Sequence, residues 1–585
     1  MESKLVASQF AAAESPSLSG AVIFNLKARA HQARRTIANV GTVRRYRTDD
    51  RLRAAPIIAE SRSPLFSAVS VAEAPLVAGK VHNLRLAIAK INGIEIPAGA
   101  VFSFWSQIGK PTARRGFVNG RELREGCIIP AIGGGLCQLS NALYQCALAS
   151  GSQILERHAH SAVVPGSLAE LGGDATVFWN YVDLRFAAAV PLRIEATLAA
   201  EDLVVAFKGT PQHQFVNIQT GLSRTVAPAP SSCATCGKIS CFRNAGAMRG
   251  SAGTCRTAFL VDECWPEYKA YVSRKRKSGD VIGLPLDSHL GRTNRYGWDT
   301  REFGAVRSAT LATLSRSLAL RTAGEGIGVR QELSLKHDQR LARSLAASLT
   351  FDVSHVVVSQ NLLPFLWRKG HLGGRTFDVL MTRLPMSVLH ERLDRISELH
   401  PDSTTARQFR AEPWLVQAEA EALQSATNII TPNSDIAEFF PERAIKLPWT
   451  VPRTRATPTG RGILFPASAL ARKGAYEVRE AVAALGIALI VAGPPLERRD
   501  FWDGVKTLNP REDVLDGIGL VVLPAYVEDK PRLLLQAVAR RIPVVVSREC
   551  GLAGIDGVDV LGQIGAASLI QAITRHISDP RFAEH

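Results

Sequence analysis

The chain has 585 residues, 46% of them apolar, 21% charged and 6% aromatic, which is enough material for several separately buried cores. Its formal net charge of +17, from 70 Lys and Arg against 53 Asp and Glu, favours anionic partners such as nucleic acid, a membrane surface or a phosphorylated small molecule. Nucleic acid is argued against by the lack of aromatics interleaved with the basic runs, and a nucleotide-sugar ligand suits the charge as well.

Residues 1–75 are Arg-rich and weakly periodic ("KARAHQARRTIANVGTVRRYRTDDRLR") and are expected to be a basic N-terminal extension. The first residues carry no charged-then-apolar leader pattern, and no apolar run approaches the 18 or so residues of a spanning helix. A cytoplasmic location and no transmembrane segment are therefore the expectation. From about residue 80, "VHNLRLAIAKINGIEIPAGAVFSFW" reads as a helix, a turn at Asn92-Gly93 and a strand. Short alternating strands follow in "VFWNYVDLRFAAAVPLRIEATLAAEDLVVAFKG". Residues 76–210 thus form an α+β domain. Residues 228–256 are a Cys-rich linker. After it, continuous apolar runs ("TAFLV", "DVIGLPL", "SHVVVSQNLL", "ATNIITPNS") alternate with helical stretches up to the proline-bearing joint "KLPWTVPRTRATPTGRG". "GILFPAS", "ALIVAGPP", "IGLVVLPA" and "IPVVVS" then repeat the pattern. Such alternation indicates parallel sheets covered on both faces. The fold class is a multidomain chain, with a two-lobed α/β module of residues 257–452 and 453–585 after the α+β domain.

The stretch Gly133–Ser140, "GGGLCQLS", places three glycines before a cysteine at the start of a helix whose apolar positions are Leu139, Leu143, Cys146 and Ala147. Free N–H groups and the positive end of the helix dipole there favour a thiolate. His158, His160 and Asp174 lie downstream, and a Cys, a His and an Asp are the parts of an activated-thiol site. The plainer alternative is a tight turn with Cys137 packed in a core. "PAIGGGLCQLSNALYQCALASGSQILERHAHS" followed by "GGDATVFWNYVDLRF" resembles the VanW family over roughly residues 80–200. The matching positions are Gly133, Gly134, Gly135, Cys137, Gln138, Ser140, Tyr144, His158, His160, Ser161, Asp174, Thr176, Asp183 and Arg185. With the resemblance, a Cys137–His160–Asp174 site for acyl transfer is expected, His158 being the rival base and Gln138 or backbone N–H groups the oxyanion holders.

The nine cysteines include a run, Cys233, Cys236, Cys241 and Cys255, with Cys264 close behind. Two thiolates separated by two residues can bind one metal ion, and all-thiolate ligation suits zinc or an iron–sulfur cluster. The spacing matches neither a paired zinc knuckle nor a ferredoxin run.

In the last lobe a strand ends at Pro524, an acidic residue follows, and a helix begins near Pro531. Ligands bind at the carboxyl ends of parallel strands, where helix N-termini attract phosphate. "VVLPAYVEDKPRLLLQAVARRIPVVVS" and "ILFPASALARKGAYE" resemble the nucleotide-binding half of group 1, family 4-like glycosyltransferases of the GT-B fold. That resemblance makes Glu528 the acid that approaches the donor and Lys473, with Arg472, the cations on its diphosphate. It puts Gln536 where a glutamate holds the ribose, and Ser468 where an arginine is usual. It implies an enzyme that takes a sugar from a nucleotide-sugar donor to a small-molecule or glycan acceptor of envelope or metabolite type. Two alternatives stand beside it: a non-catalytic protein that binds cell-wall ligands on a degenerate scaffold, and a cysteine-dependent acyl transferase or hydrolase confined to the VanW-like domain.

Overall fold

The structure, a computed structural model, describes residues 18–39, 44–66, 74–124, 127–159, 174–179, 181–199, 201–210, 216–219, 256–286, 294–322, 327–408, 410–454 and 460–578. The chain divides into two compact units, one of residues Met1–Arg256 with two short later segments, the other of most of residues 257–585. No helix among the described residues is long and apolar enough to cross a membrane.

The first unit is built on a five-stranded sheet in the order Val216–Gln219, Ile57–Pro64, Asp202–Gly209, Leu192–Leu198, Ile94–Ile96. All its pairs are antiparallel except Ile57–Pro64 with Val216–Gln219, which is parallel. Strand Ile57–Pro64 falls inside the segment expected to be a basic extension. It has two neighbours in this sheet, and its buried Ile58, Ala59, Ser61 and Ser63 show why it belongs there. Helix Leu18–Asn39 of the same segment places Arg35 on Glu156, with one guanidinium nitrogen at 2.7 Å. Helices Ala74–Ile91 and Leu136–Ala149 close the core, with Leu84, Ile91, Leu139, Leu143 and Cys146 fully buried alongside Ile194 and Phe207.

The glycine run exists for backbone contact. Hairpin Asn119–Arg124 with Cys127–Ile132 lies against the start of helix Leu136–Ala149, and a Cβ on Gly120 would stand 2.3 Å from the Gly134 carbonyl oxygen. A Cβ on Gly135, whose φ is +98°, would stand 2.1 Å from Cγ of Lys80. The space that the missing side chains leave is therefore filled by hairpin backbone and a lysine stem.

Asp183 ties the neighbouring three-stranded sheet to a short helix. It accepts from Ser103 Oγ at 2.6 Å and from the Trp105 N–H at 3.2 Å. Burial pushes its carboxyl up to about 6, against the pull of those two donors.

The second unit holds two parallel sheets. The first has seven strands in the order Ala305–Ser308, Val281–Leu284, Arg256–Leu260, Val353–Ser359, Thr376–Leu380, Asn428–Thr431, Ala444–Lys446. The second has six, all parallel: Thr507–Leu508, Leu489–Val491, Gly462–Phe465, Ile518–Leu523, Val544–Ser547, Val558–Leu561. In both, the first strand in sequence sits beside the fourth, so the winding reverses between them and opens a crevice at their carboxyl ends. The uninterrupted buried runs Ile518–Leu523 and Val544–Ser547 are what a sheet covered on both faces requires.

Gly120→Ala is expected to cost about 1–3 kcal/mol or more of unfolding free energy, because backbone and not a movable side chain is in the way. Gly562→Ala, where nothing lies within 4 Å of the added carbon, is expected to be near neutral in the same urea titration. Asp183 binds its proton more tightly folded than unfolded, so its contribution is full below about pH 4 and is lost as pH rises through about 6. Wild type should lose up to about 3 kcal/mol relative to Asp183→Asn over that range, the equivalent of two pK units. Urea unfolding of both proteins at the two ends of the range measures it.

Candidate functional site

In the second sheet, strand Gly462–Phe465 leads through Pro466–Leu470 into a tight turn, Ala471–Lys473, and Gly474 opens helix Ala475–Leu485. Gly474 has φ +73°, and a Cβ there would stand 2.3 Å from the Pro524 carbonyl oxygen. The start of this crossover is thus packed onto the exit of strand Ile518–Leu523. The N–H groups of Tyr526 and Val527 donate to the Arg472 carbonyl at 3.0 and 3.1 Å, fixing the loop that carries Glu528.

Lys473 Nζ donates to Glu528 Oε2 at 2.8 Å and to the Val527 carbonyl at 2.9 Å. Glu528 Oε1 accepts the Lys530 N–H at 2.8 Å. Both charged side chains are only 12% exposed, so their attraction is weakly screened by water. Burial lowers the Arg472 guanidinium pKa, while Asp529 and Glu528 act the other way. Burial raises the Asp529 carboxyl, and Lys473 and Arg472 oppose that rise. Two cations from the Ala471–Lys473 turn and two carboxylates from the loop after strand Ile518–Leu523 therefore meet at a strand-end crevice. Such a cluster can exchange an internal carboxylate for a phosphate oxygen on the same ammonium. Of the positions singled out from the sequence, Lys473, Arg472 and Glu528 meet here. Gln536 is exposed on helix Arg532–Ala539, and the Ser468 backbone lies under Gly493, where a Cβ would stand 2.5 Å from its nitrogen.

Two features of this unit were not legible beforehand. Arg532, four residues after Glu528, forms two hydrogen bonds to Glu267 at 2.7 and 2.9 Å and lies over the rings of Trp265 and Trp449 at 4.8 and 5.3 Å. Lys530 Nζ reaches Glu263 at 2.7 Å. At the reversal point of the seven-stranded sheet, buried Arg316 binds Asp262 at 2.7 and 2.9 Å and Asp338 at 3.1 Å, and Asn361 donates to Asp262 at 2.7 Å. Burial and the Asp262 charge push the Asp338 carboxyl up to about 6. No local spacing in the sequence joins these residues.

In the first unit, Cys137 occupies the first turn of helix Leu136–Ala149, half-buried against the core. Its sulfur lies 3.4 Å from Thr176 Oγ1 and 3.8 Å from the Val177 carbonyl. The His158 ring faces Glu156 at 3.3 Å and is exposed, while its carbonyl accepts the Thr176 N–H at 2.8 Å. Asp174 is buried, and its carbonyl accepts from Arg157 at 2.6 Å. The segment is therefore brought to the thiol by Thr176. His160 lies outside the described residues. Gln138, expected as an oxyanion holder, donates to Ser63 Oγ and the Pro64 carbonyl, both at 2.9 Å, and accepts from Lys80 Nζ at 3.1 Å. Cys233, Cys236, Cys241 and Cys255 also lie outside the described residues, among which no group of three or more metal-ligating side chains occurs. Cys264 is described, and burial pushes its thiol up to about 11.

Residues 79–208 match the family described as VanW like protein. An uncharacterized Bacillus subtilis protein, YoaR, is 32% identical over 105 residues, 18% of this chain and 34% of its own. The vancomycin B-type resistance protein VanW of Enterococcus faecalis is 33% identical over 109 residues, 18% of this chain and 40% of its own. The chain thus spans only about a third to two fifths of these relatives. Among solved structures, sucrose-phosphate synthase of Thermosynechococcus elongatus aligns over 56% of this chain and 91% of its own at 13% identity, with a TM-score of 0.35. WaaG, a glycosyltransferase involved in lipopolysaccharide biosynthesis, aligns over the same shares at 13% identity and a TM-score of 0.32. Residues 79–208 therefore carry the match to the family described as VanW like protein, and the chain continues into a module with two parallel sheets, each with a reversal of winding between its first and fourth strands.

Proposed function

We propose that the two-lobed module transfers a sugar from a nucleotide-sugar donor to an envelope-type or metabolite acceptor. The observation that carries this reading is the Lys473–Glu528 pair, with Arg472 beside it, at the carboxyl ends of the first and fourth strands of an all-parallel sheet. A donor diphosphate there exchanges with Glu528 for the Lys473 ammonium. Charge that builds on the leaving phosphate oxygen as the glycosidic bond breaks is then met by Lys473 and Arg472. Glu528, freed from the amine, faces the sugar. The acceptor belongs to the 257–452 lobe, where the Asp262–Arg316–Asp338 cluster marks the equivalent crevice. The Enterococcus relative's name links it with vancomycin resistance, and an envelope-type acceptor is in keeping with that.

A thermal-shift screen of uridine, adenosine, guanosine and thymidine diphosphate sugars tests the reading. One nucleotide class is expected to raise the melting temperature, and Lys473→Ala is expected to weaken that donor roughly 10–100-fold, the worth of a hydrogen bond to a charged group. No shift with any donor, or an unchanged affinity in Lys473→Ala, leaves a binding scaffold in place of a transferase. Gln536→Glu restores the acid that the resemblance puts on the donor ribose. It is expected to tighten donor binding about 5-fold, a gain of about 1 kcal/mol, measured by calorimetric titration.

A further inference from the structure

Helix Thr310–Thr322 is turned inside out. It follows the edge strand Ala305–Ser308 of the seven-stranded sheet, and its buried residues are Thr313 and Arg316. Thr313 Oγ1 donates to the carbonyls of Pro285 and Ala309 at 2.7 and 3.0 Å, and Arg316 is held by Asp262 and Asp338. These bonds fix the polar face inward. The opposite face carries Leu311, Leu314 and Leu318, spaced i, i+3 and i+7, which are 85%, 56% and 66% exposed. Val306, on the strand that leads into the helix, is exposed as well. A surface helix in water ordinarily buries its apolar stripe and wets its polar one. Single exposed leucines are common, but several on one face make a patch, and a patch marks a contact surface.

The charge around the stripe identifies the partner. The leucine helix, TLATLSRSLALRT, contains no acid. Helix Ile327–Leu345 packs beside it and exposes Lys336, Arg340 and Arg343, spaced i, i+4 and i+7 along one face. Arg307, just before the leucine helix, and Arg321, in its last turn, are exposed too. None of these five bases enters an ion pair among the described residues, where Glu332 is the exposed acid of the two helices. A second copy of the chain seated on this face would set the bases against their own counterparts. Nucleic acid would leave the leucines in water. An anionic bilayer answers both features, with negative charge at its headgroups and hydrocarbon beneath them.

We propose that helix Thr310–Thr322 seats on the surface of an anionic phospholipid bilayer. Its leucines enter the boundary between headgroups and acyl chains, and Lys336, Arg340 and Arg343 of the neighbouring helix meet lipid phosphates. With 13 residues the helix lies in the interface and is too short to span it. Binding combines burial of apolar area with attraction between fixed bases and phosphate, and no covalent bond changes. The inference is independent of the sugar-transfer reading, since lipid binding is measured with no donor present.

The test is co-sedimentation of the full chain with vesicles of phosphatidylcholine alone, and with vesicles in which roughly a third of the lipid is phosphatidylglycerol. The chain is expected to partition onto the anionic vesicles at least about 10-fold better than onto the neutral ones, and less well as salt is raised. The triple variant Leu311→Ser, Leu314→Ser, Leu318→Ser keeps the net charge of +17 and is expected to lose about 10-fold or more of that partitioning. Replacing Lys336, Arg340 and Arg343 by Gln is expected to cost about 5-fold per base. Leu311→Ser alone, at the most exposed of the three leucines, leaves the buried face untouched and is expected to lose several-fold. No partitioning onto the anionic vesicles overturns the proposal. So does partitioning that the leucine variants leave unchanged, since the attraction then belongs to the charge of the whole chain. A wild-type dimer in vesicle-free buffer that the leucine variants convert to monomer also overturns it, by giving the face to a second copy.

Discussion

An ion pair held at 2.8 Å between two side chains that are each 12% exposed organises the second unit. It can form because two strands far apart in sequence, Gly462–Phe465 and Ile518–Leu523, run side by side and parallel, so both loops leave the sheet at the same edge. Gly474 lets the backbones touch, and the Arg472 carbonyl holds the next loop by two N–H groups. The charges are then placed by main chain, which tolerates little drift. A carboxylate already seated on the ammonium keeps the buried charge compensated when nothing else is bound.

The same device, close approach of bare backbone, recurs in the first unit with a different outcome. Gly134 against Gly120 seats the hairpin, and Gly135 receives a lysine stem. A run of glycines before a cysteine reads as room for a thiol. What occupies that room is the hairpin and Lys80, and Cys137 turns instead to Thr176. The thiol and its neighbour take different partners at one helix start: the sulfur goes to Thr176 and Val177, while Gln138 goes to Lys80 and Ser63.

What could be read from the residues alone was whatever repeats locally. Continuous apolar runs such as Val544–Ser547 and the helix pattern around Leu139 and Leu143 reveal their elements through period and length. Lys473 and Glu528 were visible through the motifs around them. Strand Ile57–Pro64 was not, because its buried face, Ala59, Ser61 and Ser63, is small and partly polar and its neighbours lie some 150 residues onward. Lys80 was hidden for a related reason: a lysine in an amphipathic helix looks solvated until the residues that cover it, at 121, 135 and 138, are folded over it. Arg316 with Asp262 and Asp338 is a tertiary product in the same sense.

Arg532 lies over two indole rings, Trp265 and Trp449, whose own centroids are 6.1 Å apart, and it closes on the wholly buried Glu267. A guanidinium stacked on indoles alters their emission, so this nest is a built-in optical gauge. Any rearrangement that drew helix Arg532–Ala539 away from those rings would announce itself as a change in intrinsic fluorescence, with no dye attached.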